Sequence, residues 1–134
     1  MSDGKAFFDT SVLLYLLSED ARKADRVEAL LAEGGVISVQ VLNEFASVCS
    51  RKLKLPWSDV RAILDTVRAV TEVAPLTTDL HDRALDLAEQ YRFSFYDCLI
   101  VASALEEACS ILYCEDLQSG QRIERTLRIV NPFA

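Results

Sequence analysis

The chain has 134 residues, 51% of them hydrophobic and 26% charged, the proportions of an ordinary globule of one domain's length that buries roughly two-thirds of the surface its unfolded chain exposes. No apolar run approaches the roughly 20 residues a membrane helix needs, and Met1-Ser2-Asp3-Gly4-Lys5 lacks a basic segment followed by an apolar one, so a cytoplasmic protein with no membrane association is expected. A formal charge of −7 argues against non-specific nucleic-acid binding through a broad basic face, although Arg51, Lys52 and Lys54 form a local basic group.

Residues 5–9 form an apolar stub closed by Asp9-Thr10-Ser11 and followed by Val12-Leu13-Leu14-Tyr15-Leu16-Leu17, the pattern of a buried strand that turns into a short buried helix. Over 21–33, Ala24, Val27, Leu30 and Leu31 fall at helical spacing, and Gly34-Gly35 stop that helix ahead of a short strand, Val36-Ile37-Ser38. A long helix is predicted over 39–54, where Val41, Leu42, Phe45, Val48 and Cys49 recur at helical spacing until Pro56 ends the pattern. Another helix covers 58–71 behind Ser58, Val73-Ala74 reads as a brief strand, and Thr78 opens a helix carrying Leu80, Ala84, Leu85, Leu87, Ala88 and Tyr91.

Ser94 caps the next helix, whose stretch from Cys98 to Leu105 is almost wholly apolar and is therefore expected to be buried on more than one side. Ile111-Leu112-Tyr113 and Arg128-Ile129-Val130 read as the last two strands, with a loop at Gln118-Ser119-Gly120-Gln121 and a stop at Asn131-Pro132. Strands alternating with helices, with no linker or repeat, predict an α/β fold: a three-layer α/β/α sandwich around a mostly parallel central sheet. The cysteines Cys49, Cys98, Cys109 and Cys114 form no Cys-x-x-Cys pair, and one His is too few for a structural zinc site, so they read as reduced packing residues.

Four carboxylates fall where such a fold gathers side chains into one cleft. Asp9 and Asp116 follow predicted strands, while Glu44 and Asp97 lie on predicted apolar helices. Each has a purely structural alternative. Asp9 suits an N-cap, although Thr10 or Ser11 would fill the same role and leave it free. Ser94-Phe95-Tyr96-Asp97 fits a capping box, a role compatible with a carboxylate kept ionised at the positive end of the helix dipole.

Glu44 projects about 100° from the centre of its helix's apolar stripe, at the border between core and cleft rather than opposite the core. Glu115 competes with Asp116, and strand alternation favours the residue two after Cys114. His81 reads as a solvent-facing residue in a helical first turn. Arg51 lies seven residues after Glu44 on the same helix face, within reach of a phosphate.

The carboxyl edge of a parallel sheet is where open α/β folds bind ligands. Acids gathered there repel one another unless a cation holds them together, and an all-oxygen set suits a hard ion such as Mg²⁺ or Mn²⁺. These residues point to metal-dependent phosphoryl transfer, in which in-line attack on a phosphodiester needs charge stabilisation and no Cys, Ser or His nucleophile.

Phe8-Asp9-Thr10-Ser11, Val41-Leu42-Asn43-Glu44-Phe45, Ser94-Phe95-Tyr96-Asp97-Cys98-Leu99-Ile100, Tyr113-Cys114-Glu115-Asp116-Leu117-Gln118-Ser119-Gly120 and Ile129-Val130-Asn131-Pro132-Phe133, in that order, resemble a PIN domain of the VapC-type ribonuclease toxins of bacterial and archaeal toxin–antitoxin pairs. The resemblance covers nearly the whole chain and implies a single PIN domain over residues 1–134. It implies that Asp9, Glu44, Asp97 and Asp116 surround Mg²⁺ (or Mn²⁺), with Asp9 and Asp97 as direct ligands and the other two binding directly or through water. It further implies cleavage of single-stranded or looped RNA to a 5′-phosphate and a 3′-hydroxyl, homodimerisation, and neutralisation by a VapB-type antitoxin; the clustered acids of a chain of charge −7 would seat a basic side chain of that partner, and Thr10, Ser11 and Arg51 are the candidate RNA contacts. Cys114 departs from the pattern, since similar sequences place Ser or Thr there.

A haloacid-dehalogenase-type phosphatase would carry a second Asp two residues after Asp9, where Ser11 stands. A response-regulator receiver would need an acidic pair after the first strand and a Lys after a late one, and neither is evident. The alternative from another class is a non-catalytic PIN domain acting as an RNA- or partner-binding module.

Overall fold

The structure, a computed structural model, describes residues 5–134; the expectation drawn from Met1 to Gly4 lies outside them. Strand β1 (Lys5–Phe8) leads through Asp9 into α1 (Thr10–Leu13), which tightens into a 3-10 turn at Leu14–Leu17, and α2 (Ala21–Ala32) follows. Gly34, at φ +89°, donates its N–H to the Leu31 carbonyl at 2.9 Å and reverses the chain into β2 (Val36–Ser38). Then come α3 (Val39–Arg51), α4 (Trp57–Ala69), β3 (Glu72–Ala74), α5 (Thr78–Gln90), α6 (Phe95–Glu106), β4 (Cys109–Tyr113), β5 (Arg122–Ile123) and β6 (Leu127–Val130).

These strands form one sheet in the order β3-β2-β1-β4-β6-β5, parallel throughout except for β5 against β6. The first two crossovers step outward from β1 to β3, and the third returns past β1 to β4. Because parallel crossovers are right-handed, that reversal places α1–α4 on one face and α5 and α6 on the other, the expected three layers. Central strands covered on both faces must be apolar on both, and Phe7, Phe8, Val36 and Ile37 are fully buried. The apolar α6 contacts β4 and β2 on one side and α5 on the other, which buries every residue from Cys98 to Ala104. All four cysteines are buried and reduced.

Several boundaries differ from the sequence expectations. Helix α4 starts at Trp57, with Pro56 as its N-cap, so Ser58 lies inside the first turn instead of capping it; Pro56 has no N–H to satisfy and its fixed φ opens the helix directly. Helix α3 stops at Arg51 rather than 54 because Lys54 adopts φ +57°, which breaks the helix before the proline. Strand β5 has no counterpart among the predicted strands. Its two residues pair with β6 across a turn holding Glu124 and Arg125 at positive φ, positions where the usual Gly or Asn signal is missing. No helix among the described residues is long and apolar enough to cross a membrane.

Candidate active site

The connection leaving β1 runs toward β2, whereas that leaving β4 runs toward β6. A crevice therefore opens between the carboxyl ends of β1 and β4, the switch point at which open α/β sheets hold ligands. Asp9 follows β1 and Cys114-Glu115-Asp116 follow β4. A crossover helix runs back against its strand, so the first turn of α6, with Asp97, lies at this same edge.

Asp9 is held here by the backbone. Its N–H extends the β1–β4 ladder to the Tyr113 carbonyl at 3.0 Å. It caps α1, as the structural alternative allowed, but the cap uses only one oxygen. Oδ2 accepts from the Ser11 N–H at 3.2 Å, the Ser11 hydroxyl at 2.6 Å and the Cys114 thiol at 3.6 Å. Oδ1 receives no hydrogen bond from a described residue. Asp9 as a whole is only 6% exposed, so the charge it carries is poorly screened by solvent.

Glu44 is half-buried on α3, and its Oε1 accepts from the Thr10 hydroxyl at 3.0 Å, which ties α3 to the start of α1. Burial pushes its pKa up, and the charges of Asp9 and Asp97 push it further, against the lowering effect of Thr10. On α6, the Ser94 hydroxyl accepts the Asp97 N–H at 3.2 Å, so the cap is made. The Asp97 carboxyl is nonetheless pushed up by burial and by the charges of Asp9 and Asp116, with Ser94 opposing.

Asp116 is also raised, by partial burial of its carboxyl and then by Asp9 and Glu115. Since the residue is exposed, solvent screens these effects more than at Glu44 or Asp97. Glu115 faces elsewhere: the Tyr15 hydroxyl donates to both its oxygens at 2.9 and 2.8 Å. The acid two after Cys114 is thus the one electrostatically joined to Asp9 and Asp97.

Asp9 acts on all three other carboxyls, which makes it the hub of the group. Like charges keep their distance. Among the described residues no three His, Cys, Asp or Glu side chains close on one point tightly enough to ligate an ion. In chemistry the set fits a hard divalent cation, because every donor is a carboxylate oxygen and the thiol beside them stays protonated. Burial, then the Asp9 charge, pushes the Cys114 thiol up to about 12, and a protonated thiol donates to Asp9 without competing as a ligand.

Thr10 and Ser11 are engaged with Glu44 and Asp9. Arg51 is exposed at the end of α3, where its Nε donates to the Ser47 hydroxyl at 2.9 Å. Tyr15 is a site residue that sequence reasoning misses, as its partner Glu115 lies one hundred residues away and nothing in local spacing marks the pair.

A family model described as PIN domain matches residues 6–119. No curated protein matches. Among solved structures, the chain is similar to the Mycobacterium tuberculosis toxin VapC20, a sarcin–ricin-loop-cleaving toxin, with 25% identity over 84% of this chain and 90% of that one and a TM-score of 0.68. A toxin–antitoxin complex from Klebsiella pneumoniae shares 21% identity over 96% and 98% of the two chains, with a TM-score of 0.70. VapBC2 from Rickettsia felis, bound to a DNA fragment from its promoter, shares 18% over 94% and 98%, with a TM-score of 0.68. The last two likenesses concern the fold.

Proposed function

The chain belongs to the PIN domain family, and from that premise we propose that it is a metal-dependent endoribonuclease of the VapC toxin type, acting on RNA phosphodiester bonds and neutralised by a cognate antitoxin. The observation that carries this reading is the grouping of Asp9, Glu44, Asp97 and Asp116 at the carboxyl edge of the sheet, where burial first, and the charge of Asp9 after it, raise the proton affinity of the other three. A protein has little reason to gather mutually repelling acids, three of them buried or half-buried, at a ligand-binding edge unless a cation completes the group.

Asp9 and Asp97 would hold Mg²⁺ or Mn²⁺ directly, with Glu44 and Asp116 binding directly or through water. When bound, the ion supplies positive charge against the oxygens of the scissile phosphate and lowers the pKa of the attacking water. The chain's own residues do the positioning. Ser11 and Cys114 fix Asp9 through Oδ2, and Oδ1 accepts no hydrogen bond from a described residue. Thr10 fixes Glu44, and the first turn of α6 presents Asp97 near the positive end of its dipole, which favours the ionised carboxylate.

In this reading the whole chain works as one PIN domain in the cytoplasm, as a homodimer, with a VapB-type antitoxin as partner; the neighbours named above as toxin–antitoxin complexes support that pairing. The deciding experiment incubates purified protein with single-stranded and looped RNA in Mn²⁺, in Mg²⁺ and in EDTA, beside Asp97→Asn. Metal-dependent cleavage lost in the variant supports the proposal. RNA binding with no cleavage in any metal would replace it with the non-catalytic PIN module.

A further inference from the structure

A second feature lies outside the acid group. The start of α2 and the segment after β6 enclose a cavity of about 400 Å³ lined by Asp20, Arg22, Lys23, Arg26, Pro132 and Phe133. Three cations around one cavity stand out in a chain of net charge −7. None of the three forms an ion pair with a described carboxylate; the pairs among described residues belong to Lys5 and Arg83. The one acid in the lining, Asp20, caps α2 through the N–H groups of Arg22 and Lys23. Arg22 and Lys23 also occupy the first turn of α2, where the helix dipole disfavours positive charge. That placement works against local stability.

The one aromatic residue in the lining, Phe133, belongs to a cluster with Tyr15 and Lys23. The Lys23 ammonium stands 4.7 Å from the Tyr15 ring centroid and 5.2 Å from that of Phe133, and the two rings meet edge to face at 4.7 Å. Arg26 Nε donates to the Pro132 carbonyl at 3.2 Å and so holds the segment after β6 against α2. From here a chain of hydrogen bonds runs to the acids. The Tyr15 hydroxyl donates to Glu115, the Glu115 N–H donates to the Ser11 hydroxyl at 3.3 Å, and that hydroxyl donates to Asp9.

We infer that this cavity is a phosphate-binding subsite for single-stranded RNA, in which Arg22 and Lys23 hold a backbone phosphate of the strand that is presented to Asp9, Glu44, Asp97 and Asp116. The inference rests on the ribonuclease reading and supplies what that reading lacks. A four-carboxylate crevice repels a polyanion, so the strand needs a cationic hold beside it, and paired cations against aromatic faces are the usual means of tracking a single strand without reading its sequence. Arg22 and Lys23 are positioning residues here.

The test measures binding of a fluorescein-labelled single-stranded RNA by anisotropy in EDTA over a salt series, for wild type, the Arg22→Gln, Lys23→Gln double variant, and an Arg61→Gln, Arg68→Gln control in α4, with thermal melts to confirm folding. The subsite predicts a Kd about tenfold weaker in the cavity variant and a salt slope lower by about 0.7, the value for one phosphate charge no longer neutralised on a single strand. In Mn²⁺ the same variant should raise KM while leaving kcat near wild type. A Kd and slope equal to those of the control overturn the subsite, as does wild type that fails to bind RNA. RNA binding lost in the cavity variant, beside wild type that never cleaves, would keep the subsite and sink the ribonuclease reading alone.

Discussion

The Thr10 hydroxyl donates to Glu44 Oε1 at 3.0 Å across 34 positions of sequence, and this bond fixes the one helix-borne acid that has no cap to place it. It also opposes the burial and repulsion that push the Glu44 pKa up. Thr10→Val should therefore raise that pKa further and lower cleavage about tenfold, within the range that loss of one outer-shell partner costs a metal site. The acid limb of the pH–rate profile should move to higher pH, because under the proposed function Glu44 serves the ion in its ionised form, and Thr10→Ser should restore both. A Thr10→Val enzyme with the wild-type profile would dissociate Glu44 from the reaction.

Glu44, Asp97 and Asp116 keep their protons to higher pH when folded than carboxyls ordinarily do. The native state then binds more protons than the unfolded chain, so their contribution to stability is complete below the ordinary carboxylate range and is lost as pH rises through the raised values. In EDTA, Asp97→Asn should melt a few degrees higher than wild type at neutral pH, a difference that shrinks on acidification. The same variant should lose about a hundredfold in Mn²⁺-supported cleavage and most of the thermal stabilisation by Mn²⁺. Calorimetry with and without metal at two pH values, beside a cleavage assay, checks both.

Cys114 stands 3.6 Å from Asp9 Oδ2 with its thiol held protonated. Cys114→Ser should keep cleavage within about threefold, since a hydroxyl donates to the same oxygen at least as well. Iodoacetamide should leave Cys49, Cys98, Cys109 and Cys114 unmodified in the native protein at mildly alkaline pH, as all four are buried and burial, the leading cause at each, raises every one of these thiols. Mass spectrometry after timed exposure reads the outcome, and rapid native-state labelling of Cys114 would contradict it.

Gly35 precedes β2 with the Phe8 ring so close that a Cβ there would sit 2.5 Å from Cε1 and 2.9 Å from Cδ1. Phe8 is wholly buried in β1 immediately before Asp9 and cannot swing into solvent. Gly35→Ala should cost about 1–3 kcal/mol, the usual range for overpacking a core. It should also weaken Mn²⁺ binding by tilting the end of β1. Urea unfolding at equilibrium measures the first effect, and a midpoint equal to that of wild type would show that the ring relaxes freely.

Most of the fold was legible in the sequence because the signals are local. Apolar spacing marks α2, α3 and α5, the unbroken apolar run from Cys98 announces a helix buried on both sides, and Gly34 and Pro56 punctuate the chain by their own backbone chemistry. The four acids were legible as candidates through their places beside strands and helix starts. Tertiary structure decided what depends on residues far apart: that Asp9 caps through one oxygen while the other takes no hydrogen bond from a described residue, that Tyr15 draws Glu115 aside from Asp116, and that Arg22, Lys23 and Arg26 meet Phe133 around a cavity. Side-chain direction after a strand, and charge gathered from separate elements, follow from packing and strand order rather than from any periodicity, so no local pattern in the chain encodes them.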